Sequence, residues 1–159
     1  MTQTIDVVEF QLGREHYALD IQLAREIVEM MPITRLPRSP AYIAGIINLR
    51  GEITHIINLN VLLGLYGEEA VENRKIVVLV PEAAGGSNVG IIVDEVSSVR
   101  QVGKDDFDPM DDSDSSATYV KGIIKLGVEE ETDGRDADRT NLIIWLDLQR
   151  LLREQVANT

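Results

Sequence analysis

Cysteine is absent from the 159 residues, which removes disulfides, thiolate metal sites and cysteine nucleophiles together. Histidine is nearly absent too. His16 and His55 are the only two and lie far apart in the chain, which argues against a multi-histidine metal site. Aromatic residues make up 4%, so the core must be mostly Ile, Leu and Val, and the β-branched share of those points to sheet. Positive charge is in short supply: 15 basic residues face 27 acidic ones, a net charge of −12. A nucleic-acid partner needs clustered Lys and Arg and is not expected, nor is docking on anionic lipid. No window approaches the ~18 consecutive apolar residues of a membrane helix. Met1 to Asp6 lacks a basic stretch followed by an apolar one, so no signal peptide is legible. The expectation is a cytoplasmic protein without direct membrane insertion.

What is present reads as short strands separated by turns. Ile5–Leu12 is a strand-like run, Gly13 to His16 a hairpin connection, and Tyr17–Ile21 the return strand. Ile27–Met31 is extended. Ser39 before Pro40 suits a short helix running to about Ala44. Two apolar runs, 46–49 and 53–59, flank Arg50-Gly51-Glu52 as strand, tight turn and strand. Asn60–Leu65 reads as a short helix capped by Asn60. Residues 68–73 are polar and mark a lobe boundary. Strands follow at 75–80, 89–93, 96–102, 119–126 and 142–146. Residues 105–114, with six Asp, read as a solvated loop, and 129–139 as a charged stretch. From Asp147 to Gln155 the leucines fall three and four apart, the mark of an amphipathic helix.

The chain also echoes itself. Ala44-Gly45-Ile46-Ile47-Asn48-Leu49 resembles Lys121-Gly122-Ile123-Ile124-Lys125-Leu126. Ile56-Ile57-Asn58-Leu59 resembles Trp145-Leu146-Asp147-Leu148, each followed by a Leu pair, and Asp20 with Arg25-Glu26-Ile27 resembles Asp94 with Arg100-Gln101-Val102. Two copies of one five-stranded unit, near 5–66 and 74–152, suggest two small barrels. The expected domain plan is one domain over 1–159. Its first subdomain is about 5–66 plus the C-terminal helix 147–155, and its second is about 74–146.

Chemistry is hard to find. Walker and Gly-x-Gly-x-x-Gly loops are missing, and Gly86-Ser87-Asn88-Val89-Gly90 has its serine displaced from a nucleophile elbow. Asp136-x-Asp138-x-Thr140 follows an acidic run that no core strand would carry. Counted from Asp112, an EF-hand would place Ala117 and Ile123 where Gly and Glu are required. A loose divalent site on Asp111, Asp112 and Asp114 stays open, and with His55 it carries the metal-dependent-enzyme alternative. His55 itself fits better as a core or groove-wall side chain, and His16 as an exposed turn residue. Two features lack an obvious core role: Arg50 in its tight turn, and Ile21-x-x-Ala24-x-x-Ile27, whose period of three suits neither face of a regular strand. An irregular segment showing small apolar side chains, or a bulge or helical turn on the core, would produce it.

These residues resemble the chemotaxis coupling proteins, the CheW family. Pro40-Ala41-Tyr42-Ile43-Ala44-Gly45-Ile46-Ile47-Asn48-Leu49-Arg50-Gly51-Glu52-Ile53 is similar to the family's signature. So are Tyr17-Ala18-Leu19-Asp20-Ile21 with Arg25-Glu26-Ile27, and Val89 to Val96. His55 stands where the family usually has Pro, and Asn58 where it often has Asp. The resemblance implies a mainly β fold of two SH3-like five-stranded barrels around a shared core, with short helices including one at the C-terminus. It implies no catalysis and no cofactor, and a role joining the cytoplasmic tips of transmembrane chemoreceptors (methyl-accepting chemotaxis proteins) to the regulatory domain of the histidine kinase CheA at membrane receptor arrays. By matched position, Ile21, Ala24, Glu26, Ile27, Val96 and Val99 would line a receptor groove, with Arg50 nearby. Phe107 and Met110 fall where a kinase contact would lie. A kinase's own regulatory domain is the alternative; a chain from Met1 to seven residues past Leu152 suits a freestanding protein better.

Overall fold

The structure, a computed structural model, describes residues 4–65, 74–109, 119–125 and 142–155. It is mainly β, with two sheets and few short helices, as expected. The strands are β1 (Thr4–Leu12), β2 (Glu15–Asp20), β3 (Ala24–Glu29), β4 (Ile43–Leu49), β5 (Glu52–Asn58), β6 (Lys75–Leu79), β7 (Val89–Val93), β8 (Glu95–Gly103), β9 (Phe107–Pro109), β10 (Val120–Lys125) and β11 (Leu142–Leu146). Two α-helices, α1 (Leu59–Leu62) and α2 (Leu148–Gln155), are joined by three short 3-10 turns.

One sheet runs β8-β1-β2-β11-β10-β9 and the other β3-β6-β7-β5-β4. The sheets therefore cut across the lobes expected at 5–66 and 74–146. The opening hairpin β1–β2 pairs with β8 and, in parallel, with β11 of the second half. The hairpin β6–β7 pairs with β3 and, in parallel, with β5 of the first half. Each copy of the repeated unit lends its first hairpin to the other copy's sheet.

Strand order forces both sheets to roll. In the six-stranded sheet, β8 and β9 are opposite edges, yet only Lys104–Asp106 separates them. Five inter-strand steps laid flat span roughly 24 Å, whereas three 3-10 residues rise about 6 Å. In the five-stranded sheet, the chain leaving edge strand β3 forms an antiparallel bridge, Thr34 to Ile46, on the opposite edge strand β4. Both sheets are barrel-like.

Alternation along the strands then sorts the apolar side chains. Val7, Ala18, Val102, Ile124, Ile143 and Trp145 fill the six-stranded barrel. Ile47, Leu49, Ile56, Ile76, Val78 and Ile92 fill the other. The intervening residues point outward and meet in a shared layer: Val8, Phe10, Tyr17 and Leu19 from one sheet, Val77, Leu79, Ile91 and Val93 from the other. Strands buried on both faces read as continuous apolar runs, which is why β6 and β7 carry almost no polar residue. Leu148, Leu151 and Leu152 of α2 join this layer, confirming the apolar face read from their spacing.

Two aspartates fasten the exchanged hairpins. Asp20, ending β2, accepts a 2.6 Å hydrogen bond from Trp145 Nε1 and a 2.9 Å bond from Lys121 Nζ. Asp94, just past β7, accepts one of 2.6 Å from the Gly13 amide. Two glycines also match. A Cβ on Gly45 would overlap the Thr34 carbonyl, and one on Gly122 would lie 2.8 Å from the Asp108 carbonyl. Each sits where a further segment crosses its hairpin, and each follows a register shift, at 43/45 and 120/122.

Local expectations fare unevenly. The Arg50-Gly51 turn is present, both residues at positive φ, as a two-residue hairpin of the primed kind requires. The helix expected from Ser39 to Ala44 does not form. Ala41 and Tyr42 form a turn and β4 starts at Ile43, extended so that Ile46 exchanges hydrogen bonds with Thr34. His16 is not in a turn: it sits in β2 with Nδ1 2.7 Å from the buried Glu9 carboxylate. The hairpin turn is shorter, Gly13-Arg14. Helix α1 begins after Asn58, which makes no side-chain cap bond, so Asn60 is not its cap. Strand β9 occupies part of the expected acidic loop; Asp111, Asp112, Asp114 and 129–139 lie outside the described residues.

Asp20→Ala strands the buried Trp145 N–H and is expected to lower stability by about 2 kcal/mol, read from the urea midpoint. Gly45→Ala and Gly122→Ala should each cost about 3 kcal/mol in the same assay, with Gly45 also strained by its φ of +148°.

Candidate functional site

The three-residue recurrence in Ile21-x-x-Ala24-x-x-Ile27 has a structural cause. Ile21–Leu23 form a 3-10 turn, and β3 begins with a register shift between Ala24 and Glu26 that leaves Arg25 as an extra residue. β8 carries the same device: its pairing with β1 skips Ser97, between Val96 and Ser98. An extra residue resets the two-residue alternation, so positions three apart return to one side.

Cross-strand partners fix which side that is. Ala24 pairs with Leu79 and Ile27 with Val77. Val96 pairs with Phe10 and Val99 with Val8. All four partners belong to the shared layer between the sheets. Ala24, Ile27, Val96 and Val99 thus extend that layer onto the edge strands β3 and β8. Ile21, Ala24 and Val96 are half-buried against it. Ile27 is 45% exposed and Val99 57%, so the layer runs out into solvent there.

Glu26 and Arg50, by contrast, are each other's partners. The Arg50 guanidinium donates to the Glu26 carboxylate, bringing the β4–β5 turn against β3. That hydrogen bond, then the two opposite charges, holds the exposed guanidinium's pKa above its ordinary value. Arg25 lies 3.7 Å from Glu52 and 3.9 Å from Glu26, so charges alternate around the turn. Asn48 Oδ1 accepts from the Gly51 amide at 2.8 Å and braces the same turn.

Phe107 lies elsewhere. Its ring meets Trp145 edge-to-face at 4.9 Å, and the residue is half-buried in β9, with Asp108 and Pro109 exposed beside it. Met110 lies outside the described residues. His55 is exposed on β5, on the wall of a cleft of about 590 Å³ that α2 flanks through Gln149, Leu152 and Arg153. Among the described residues no group of three or more His, Asp or Glu could hold a metal ion. Sequence reasoning missed Ile53, 54% exposed. The signal lay in β5 itself: Thr54 and Ile56 are buried, and Ile53 and His55 alternate with them on the outside.

Two rolled sheets back to back, with an apolar layer that surfaces at two bulged edge strands, define a mainly β scaffold. Among the described residues no helix is long and apolar enough to cross a membrane. The chain belongs to the CheW-like domain family, whose pattern it matches over residues 6–156. It is 30% identical to the chemotaxis protein CheW of Thermotoga maritima over 149 residues, covering 94% of this chain and 88% of that one. Against the chemotaxis protein CheW of Treponema pallidum the identity is 32% over 159 residues, with coverage of 94% and 82%. The crystal structure of the scaffolding protein TtCheW from Thermoanaerobacter tengcongensis superposes with a TM-score of 0.74 at 29% identity, covering 94% of this chain and 92% of that one. The protein is a scaffold and adaptor of chemotaxis, and its partners are chemotaxis signalling proteins.

If the exposed ends of the layer serve a partner rather than the fold, Ile27→Ser and Val99→Ser should each change stability by less than about 0.5 kcal/mol. Val77→Ala and Val8→Ala behind them should cost about 2 kcal/mol or more. Urea denaturation of the four variants makes the comparison.

Proposed function

We propose that the protein couples the cytoplasmic tips of transmembrane chemoreceptors to the regulatory domain of the histidine kinase CheA, in the cytoplasm at receptor arrays and without catalysing a reaction itself. The reading rests on one observation: the shared layer continues past the core onto Ala24, Ile27, Val96 and Val99 of two edge strands. An apolar strip of small and β-branched side chains suits one face of an amphipathic helix, the helix-in-groove mode. Ile21 completes that strip from the 3-10 turn that precedes β3.

Glu26 and Arg50 enter as a pair. A receptor helix that engages either charge must accommodate or exchange their mutual bond, so the pair sets register and partner choice more than affinity. The kinase contact is proposed at the β9 edge, near Phe107 and Met110. With the Phe107 ring engaged on Trp145, the exposed backbone and side chains of Asp108 and Pro109 offer the reachable surface.

Ile21→Asp and Arg50→Asp are expected to reduce capture of a purified receptor cytoplasmic fragment by at least about tenfold, with circular dichroism unchanged. Full binding by both variants removes the groove assignment.

A further inference from the structure

A second cleft, of about 560 Å³, opens on the far end of the five-stranded sheet between the β3–β4 connection and β4. Its lining is basic on an otherwise acidic chain. Arg35, Arg38 and Arg74 contribute to it, and among the described residues no carboxylate does. Elsewhere the described cations are mostly committed: Arg25, Arg50, Lys75, Arg100 and Lys121 each have a carboxylate within 4 Å. Arg35 and Arg38 have none among the described residues.

Two further observations mark the place. Arg74 Nε is buried and makes no hydrogen bond, although Asp94 Oδ1 lies 3.3 Å away. A buried N–H without an acceptor is costly, and native structures tolerate few. Arg38 holds a left-handed backbone, φ +57°, which a residue with a Cβ adopts at some cost. Such strain gathers at ligand sites.

Charge and shape narrow the ligand. Among the described residues Asp94 balances one of the three guanidiniums and no carboxylate pairs with the other two. A dianionic phosphoryl group neutralises both, whereas a carboxylate neutralises one. Guanidinium forks match phosphate oxygens well. The rest of the wall, including Met30, Ile33, Leu36 and Ile43, is apolar. The volume lies in the range of small-molecule sites and exceeds what a bare phosphate fills.

We propose that this cleft binds an organic phosphate monoester, its phosphoryl group on Arg35 and Arg38 beside the Asp94-paired Arg74, its organic part on the apolar wall. The site stands apart from the Ile27 and Val99 strip and its assignment does not depend on the coupling role.

Titration calorimetry on the full chain at low salt tests it, with phenyl phosphate and inorganic phosphate as probes. One equivalent of phenyl phosphate should bind, more tightly than inorganic phosphate. Arg35→Ala with Arg38→Ala should weaken it at least about tenfold, and Arg14→Ala should not. Arg35→Gln alone is a second, milder variant, and thermal melting verifies that each remains folded. Absence of heat with both probes, or unchanged affinity in the folded Arg35 and Arg38 variants, overturns the proposal.

Discussion

The structure depends on an exchange of hairpins. The β1–β2 hairpin completes a sheet whose other strands come from the second half of the chain, and β6–β7 does the reverse. Hydrogen bonds across a ladder do not by themselves choose between one half and the other. The choice is made where side chains close the joint: Asp20 on Trp145 and Lys121, Asp94 on the Gly13 amide. These are charge-assisted bonds to partly buried groups, the stronger kind. With the hairpins exchanged, the outer faces of both sheets must lie against each other, and the shared apolar layer follows.

In the proposed reading, that layer is also where function and fold meet. Its centre is sealed by Phe10, Leu19, Leu79 and Ile91, and its margin is left open at Ile27 and Val99. The bulges in β3 and β8 bring this about, because each extra residue shifts the outward set of side chains along an edge strand. In the proposed coupling role this margin, fixed by the core behind it, is the surface a partner covers.

Much of this was legible in the residues. The Arg50-Gly51 hairpin, the repeated strand grammar and the leucine face of α2 are local patterns, and local patterns survive in sequence. The period of three around Ala24 was legible as an irregularity, and the bulge explains it. The pairing of strands was not legible. Val7 faces Arg100 and Ala18 faces Trp145 across gaps in the chain that no window spans. Ser39-Pro40 reads as a helix start until the Thr34 bridge to Ile46 pulls that stretch into extended form. His16 reads as idle until Glu9, buried on the neighbouring strand, turns out to need it. In each case a distant segment overrode a local preference.

The exchange bears on the order of events during synthesis. The β1–β2 hairpin has its permanent neighbours in β8 and β11, and of the described strands β11 is made last. Until then Val8, Phe10 and Leu19 have nothing lasting to cover them. Contacts this far apart along the chain are slow to form, so the apolar faces of β1 and β2 wait for lasting cover until the second half of the chain has been made.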